Sequence, residues 1–371
     1  MTSPGRSALT TCQVRHAGDS DRVLWADYVR KHPEASHYHQ FAWRDVIHGA
    51  YGHSTYYLLA THGERANALG ILPLVHLKSA VFGSSLVSLP FVDGGGVLAD
   101  SPGAVDDLMA EAVALARRVG AKTIDLRCER EIAACEDMRM ASTGPLASVS
   151  ATKRSGKVRM LLTLPGSSAE LFKSFKSKLR SQINRPMKEG CTCRIGGLEL
   201  LEDFYKVFLI NMRDLGSPVH SKGLLRQVLE VFPERSRIFA VYHSGRPIAA
   251  SLVSGFNGTL RNPWSSSDRR YAAMSPNMLL YSRMLEFACD QGYRTFDFGR
   301  STPGEGTFKF KEQWGAVAAP LHWYLISPDG KPPDPDSSEA ERFKLAARCW
   351  SKLPIAVTKV VGPRIRKHIS L

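Results

Sequence analysis

The feature that most constrains this 371-residue chain is a long-range internal repeat. Alternating apolar runs flank a Gly-containing turn in "YYLLATHGERANALGILPLV" (56–75), the pattern of a β-hairpin, and a similar pattern returns in "RIFAVYHSGRPIAASLVSG" (237–255). A third strand follows each hairpin, "SSLVSLPFV" (84–92) and "TLRNPWSSS" (259–267). Next come amphipathic helices, "AVDDLMAEAVALARRVG" (104–120) and "NMLLYSRMLEFACDQG" (277–292), each stopped by glycine. The strands after them, "GAKTIDLR" and "GYRTFDFG", repeat Gly, a basic residue, Thr and Asp in register. The same elements in the same order twice predict a duplicated αβ unit.

The length favours two domains over one core. We expect a first domain at 1–150, a second at 151–330, and a linker with a basic tail at 331–371. Between the repeats, "SSAELFKSFKSKLRSQINRPMKEG" (167–190) reads as one helix capped by Ser167 or Ser168, and 200–216 as another. The first half opens with helical segments near 21–31 and 40–50. Helix, helix, strands, helix, strand is the element order of the GNAT acyltransferase fold. The fold class expected is therefore α/β (α+β), two tandem GNAT-like domains with mixed central sheets.

Composition narrows the partners. With 49 Lys+Arg against 35 Asp+Glu, a net +14, the chain favours phosphorylated substrates, RNA or acidic membrane surfaces. The seven cysteines are irregularly spaced and form no zinc pattern. "MTSPGRSALTTCQV" lacks the apolar core of a secretory signal, and no window has the roughly 18 to 20 apolar residues of a membrane helix. A cytoplasmic protein, with peripheral contact at the inner membrane as an option, is the expectation. After Glu341 come eight Lys/Arg and no acid, with Leu, Trp, Ile and Val between them. That tail suits either an anionic membrane or packing on the second domain, and Pro354 and Pro363 are expected to keep it from forming one long helix.

Several stretches together resemble the Fem-type family of tandem-GNAT acyl- and aminoacyltransferases: "HQFAWRDVIHGAYGH" (39–53), "GILPLVHLKSAVFGSSLVSLPFVDGGG" (70–96), "KLRSQINRPMKEG" (178–190), "FYKVFLINMRDLGSPV" (204–219), "NMLLYSRMLEFACDQGYRTFDFGRST" (277–302) and "GTFKFKEQWGA" (306–316). The nearer resemblance is to FemAB-like proteins of exosortase/PEP-CTERM and exopolysaccharide systems. It implies two GNAT-like domains around a cleft and acyl transfer to an amine, with a lipid-linked glycan or peptide precursor as the anionic partner. The helical arm of aminoacyl-tRNA-using members has no counterpart between 191 and 290, so tRNA is a less favoured partner.

In that family an F-K-x-x-[FW]-G run brings a lysine beside the reacting carbonyl; the matching residues are Phe310, Lys311, Trp314 and Gly315. Lys311 is the candidate for stabilising the tetrahedral oxyanion, against the alternative of a solvated lysine among packing aromatics. Asp297, between two aromatics in "FDFGR", either orients Arg300 or Lys311, acts as base, or forms a structural ion pair; its counterpart Asp125 favours the last. Arg300 is a candidate anion ligand. Arg180 on the cationic connecting helix, with Arg213, Asp214 and His220 in "NMRDLGSPVHS", are candidate substrate-binding residues beside Phe310 and Trp314. His37 and His39 lack a third metal ligand, and no metal site is expected.

A GNAT enzyme using acetyl-CoA holds the pyrophosphate on R/Q-x-x-G-x-G/A before its third helix. The corresponding "RRYAAMSPN" (269–277) lacks both glycines, and "DGGGVLADSPG" (93–103) lacks the arginine. No cofactor is assigned; the acyl donor, aminoacyl-tRNA or acyl-CoA, stays open. The alternatives are a CoA-dependent acetyltransferase on a sugar amine, a non-catalytic scaffold, and a nucleic-acid-binding module.

Overall fold

The computed structural model describes residues 12–63, 67–133, 135, 149–154, 156–331 and 345–370. The first half runs β1 (Gln13–His16), α1 (Arg22–Lys31), α2 (Trp43–Tyr51), β2 (Ser54–Thr61), β3 (Ala68–Ser79), β4 (Gly83–Val87), β5 (Leu98–Ala99), α3 (Pro102–Val119), β6 (Thr123–Cys128) and β7 (Ser150–Arg154). The second runs β8 (Val158–Thr163), α4 (Ser168–Ser174), α5 (Ser177–Lys188), β9 (Thr192–Gly196), α6 (Leu201–Asp214), α7 (Lys222–Val231), β10 (Ser236–His243), β11 (Arg246–Phe256), β12 (Thr259–Ser267), α8 (Pro276–Asp290), β13 (Thr295–Ser301), α9 (Gly306–Glu312) and β14 (Val317–Pro320). Then come β15 (His322–Ser327) and α10 (Ile355–Arg366).

Two mixed sheets result. The first has the order β1-β2-β3-β4-β6-β15-β7 with β5 beside β3; the second has β9-β10-β11-β12-β13-β8-β14. Position by position they match, so the repeat read from the sequence is an architectural one. In each sheet the only parallel ladder is three pairs long among the described residues: Ser85–Val87 on Thr123–Asp125, and Thr259–Arg261 on Thr295–Asp297. Asp125 and Asp297 therefore occupy equivalent places.

The sixth strand of the first sheet, β15, follows the whole second half in the chain, whereas the second sheet is built from residues 158–320 alone. β7 and β8 are nearly continuous in the chain, as are β14 and β15, and the two stretches pair antiparallel along their length. Val317–Pro320 pairs with Val158–Leu161, Trp323–Ser327 pairs with Ser150–Arg154, and Leu321 N donates to Lys157 O (3.1 Å) between them. One two-stranded ribbon thus runs through both sheets. The halves also share an apolar core, in which Trp43 and Ile47 of α2 pack with Leu225, Val228 and Phe232 around α7.

Three local expectations change. The helix expected over 167–190 is broken: Ser167 caps α4 by accepting from Glu170 N, but Phe175 and Lys176 are extended (ψ 140° and 148°) before α5 begins. The break lets the Phe175 ring leave the helical path and pack edge-on against Trp314 (5.5 Å). The strand expected over 84–92 ends at Val87, because the buried guanidinium of Arg127 takes the carbonyls of Leu89 (3.3 Å) and Val92 (2.8 Å) away from any ladder. In the tail, both prolines were expected to interrupt a helix; Pro354 stands at the N-cap where α10 begins, whereas Pro363 lies inside it. The expected linker beyond Lys331 and the cations Arg342 and Lys344 lie outside the described residues.

If the ribbon couples the halves, damage to one sheet must loosen the other. Ile326 on β15 is fully buried in the first half's core, and Ile326→Ala should cost about 2–4 kcal/mol. Native-state hydrogen exchange should then show lost protection in β10–β13 as well as β2–β6. Loss confined to the first sheet would mean the halves unfold independently.

Candidate functional site

The ribbon delivers β8 beside β13, and the end of β13 is where ionisable side chains converge. Pairing between these strands slips between Asp297 and Arg300, a bulge made possible by Gly299 at φ +77°. A Cβ at Gly299 would also lie 2.9 Å from Asn262 O. Asp297 Oδ1 accepts from Gly299 N (2.9 Å), fixing the turn. The short α9 then folds Lys311 back, and its Nζ donates to Gly299 O (3.0 Å) and Arg300 O (2.8 Å). An ammonium has three donors, so one N–H remains after these two bonds. Lys311 is only 7% exposed. Burial lowers its pKa to about 8, against the upward pull of Asp297 and Asp93 and with the repulsion of Arg300.

Around this lysine, charges from both halves interlock. Glu129, just after β6, pairs with Arg261 of β12 (2.7 Å) and Arg159 of β8 (2.8 Å). Asp297 pairs with the same two arginines at 3.2 and 3.4 Å. Burial pushes the Glu129 carboxyl up, but the guanidinium groups of Arg261 and Arg159 outweigh it and hold the pKa at about 2. Arg300 reaches Asp93 of the first half (3.3 Å) and lies over the Trp323 ring (5.2 Å), with Arg127 over the same ring at 5.4 Å. The glycines at 94–96 permit this closeness: a Cβ on Gly94 would meet Glu129 Oε1 at 2.7 Å, and one on Gly96 would meet Cys128 Sγ at 2.3 Å. The Gly-rich 93–103 segment is thus a close-packing device.

A cavity of about 600 Å³ opens in the seam between the halves, with Glu129, Arg159 and Arg261 in its wall. Glu34, Asp100, Asp106 and Glu131 also line it, against Arg130, so acids outnumber bases by five to three in a chain of net charge +14. A narrower crevice shares Arg159 and Arg261 with it and continues past Tyr38 and Asp93 to Asp297 and Gly299. The crevice, of only about 10 Å³, ends at Gly299, whose carbonyl anchors Lys311.

Of the residues singled out in the sequence, Lys311, Asp297 and Arg300 come together. Both Asp297 oxygens are occupied, by Gly299 N and by the two arginines. Only Asp297 lines the crevice; Lys311, Arg300 and the other candidate catalytic and substrate-binding residues line neither it nor the cavity. Arg213 pairs with its neighbour Asp214 (2.6 Å) at the end of α6. His220 is buried, stacked on Phe208 and accepting from Arg366 Nε (3.3 Å); burial keeps it neutral, far below its ordinary pKa. Phe310 and Trp314 pack around Tyr281, and Arg180 sits half-buried on α5. His37 and His39 are buried and hydrogen-bonded, through Gln40 and Ser254 and through Ser36 respectively. Among the described residues no His/Cys/Asp/Glu group could hold a metal.

Glu129, Arg159, Arg261 and Asp93 escaped the sequence reading. One signal was available: Arg261 sits within the segment read as the third strand, and a guanidinium buried there requires a partner.

Comparison with known proteins places this geometry. A family model described as an acetyltransferase (GNAT) domain matches residues 173–312. The crystal structure of FemX superposes with a TM-score of 0.64 at 14% identity, covering 84% of this chain and 96% of that one. A tandem GNAT protein from the clavulanic acid biosynthesis pathway gives 0.54 at 11%, covering 87% and 100%. The C-terminal domain of an Agrobacterium fabrum protein named as a lysylphosphatidylglycerol synthetase gives 0.53 at 12%, covering 89% and 95%. No curated protein matches the chain. The fold is a tandem GNAT fold.

Within it, the loop ahead of α8 is the place where a phosphate would meet a helix N-terminus. Here residues 269–274 form a 3-10 turn, and the buried Asp268 accepts from Arg270 N (3.1 Å) and clasps the Arg270 guanidinium (2.5 Å). The Asp268 carboxylate thus takes up one backbone N–H of this loop, eight residues ahead of the start of α8.

Lys311 gives a pH signature that needs no substrate. Its folded pKa lies below its ordinary 10.5, so between about 8 and 10.5 the unfolded chain binds more protons and stability from this group rises with pH. In urea titrations, the stability of the wild type relative to Lys311→Met should rise across that window and stay level below pH 7. A difference independent of pH would contradict the burial described.

Proposed function

We propose that the chain is an N-acyltransferase or aminoacyltransferase in which an acceptor amine attacks the carbonyl of an activated acyl donor directly. The observation that carries this reading is Lys311, held by two strand-end carbonyls with one N–H to spare, one of those carbonyls belonging to Gly299 of the inner crevice. As the amine's lone pair forms the new C–N bond, the carbonyl oxygen gains negative charge, and the Lys311 ammonium is the donor suited to it. Collapse of the intermediate breaks the bond to the donor's leaving group, which departs as the thiol or alcohol after taking up the proton that the amine gives up. The acid-rich cavity suits an approaching amine, which is cationic until it loses a proton. Glu129, Arg159, Arg261 and Asp297 position the parts by joining both halves behind the reacting atoms.

The finer assignment rests on the sequence resemblance: an acceptor that is a cell-envelope or exopolysaccharide precursor, and an association with exosortase/PEP-CTERM systems. The occupied loop before α8 favours a donor other than acetyl-CoA held in the usual way. The tail supports a site of work at a membrane surface. α10 packs on α6, while Lys352, Val357, Lys359, Val360 and Arg364 remain exposed. No helix among the described residues is long and apolar enough to cross a membrane.

Single-turnover assays with acyl-CoA and aminoacyl-tRNA donors against amino-sugar and peptide amines test the reading. Lys311→Ala should lower kcat about 10²–10³-fold with little change in KM. Unchanged turnover would remove Lys311 from the chemistry. In a thermal shift, acetyl-CoA at 100 times its Kd would stabilise by about 2.7 kcal/mol if it bound; we expect no such shift. Sedimentation with anionic vesicles should be salt-sensitive and weakened in Lys352→Glu/Lys359→Glu, whereas equal binding to neutral vesicles would dismiss an electrostatic tail.

A further inference from the structure

A second cavity, of about 920 Å³, lies in the second half against the edge of its sheet. Its walls are α4, the start of α5, β8 and the end of α9. The break at Phe175–Lys176 shapes it: an unbroken helix would carry neither Phe175 to Trp314 nor the following lysines along this path. Leu162, Leu171, Phe175 and Trp314 give it an apolar lining, while Lys176, Lys178 and Lys309 stand exposed around it. Glu170 and Glu312 also contribute, yet among the described residues none of the three ammonium groups has a carboxylate within 4.0 Å. Trp314 is 2% exposed, and its Nε1 has no hydrogen-bond partner.

We propose that this cavity binds an amphipathic anion, an alkyl or acyl chain ending in a phosphate. An apolar lining with a rim of three lysines, unpaired with the two glutamates there, matches both ends of such a molecule: the chain leaves water, and the phosphate meets point charges. Cations are repelled by the rim, and a neutral sugar gains little from the lining. The site is separate from the seam. It shares α9 with it, since Lys309 and Glu312 line this cavity while the intervening Lys311 reaches Gly299 and Arg300.

Isothermal titration of the full chain tests the assignment with four soluble probes: dodecyl phosphate below its micelle threshold, monomeric dihexanoyl phosphatidylglycerol, dodecyl maltoside and inorganic phosphate. Dodecyl phosphate should bind, and Lys176→Glu/Lys178→Glu should weaken it at least tenfold with an unchanged melting temperature. Because both lysines are exposed, a folding defect is readily told apart by that melting temperature, and Lys309→Glu provides an independent variant. Tighter binding of the dihexanoyl lipid would assign a phospholipid source, and the reverse a single-chain phosphate. The proposal fails if dodecyl phosphate does not bind, binds the variants equally, or is matched by dodecyl maltoside or inorganic phosphate.

Discussion

Everything in this molecule hangs on the ribbon formed by β7–β8 and β14–β15. A sheet edge left open exposes a row of unpaired backbone donors and acceptors. Here the first sheet places β15 beside its own fifth strand, and β7 and β14 form the edges of the two sheets. The first sheet is incomplete without β15, so the first GNAT-like unit depends on the chain that follows the second. Arg159 and Trp323 lie next to the crossover, at Ala319↔Arg159 and Trp323↔Arg154. The ribbon therefore sets the position of the charge network as well as the sheets.

That network is electrically balanced: Glu129 and Asp297 against Arg159 and Arg261. Removing one member would strand a buried charge, which typically costs about 3–5 kcal/mol, whereas an intact set is close to neutral for stability. Such a cluster does little to drive folding; it fixes how the halves meet. Lys311 sits just outside the balance. Its carbonyl anchors supply dipoles and no net charge, so its ammonium stays available for charge that appears during a reaction.

The sequence made the repeat legible because hydrophobic periodicity and helix stops are local signals. The pairs "TIDLR" and "TFDFG" marked equivalent strands, and their equivalence held to the register of Asp125 and Asp297. The return of β15 to the first sheet was invisible, since β7, β8, β14 and β15 look alike wherever they pair. The partners of Asp297 were hidden for a related reason: Arg159 reaches it only through the β8–β13 pairing of residues 138 apart in the chain. Phe175 shows the other limit. Its helix propensity is ordinary, and the packing opportunity that breaks the helix lies at Trp314, 139 residues away (175 to 314).

The stretch from Phe308 to Gly315 then has a double task that no single-purpose motif explains. Lys311 must point to the strand end to meet the Gly299 and Arg300 carbonyls, while Lys309 and Glu312 turn to the outer cavity. On a helix of seven residues, successive side chains are about 100° apart, so alternate faces are unavoidable. Trp314, buried against Phe175, Tyr281 and Phe310, pins the end of that helix. The glycines before it set the backbone path, and the aromatics hold the helix still; the lysine is what this arrangement leaves free to act.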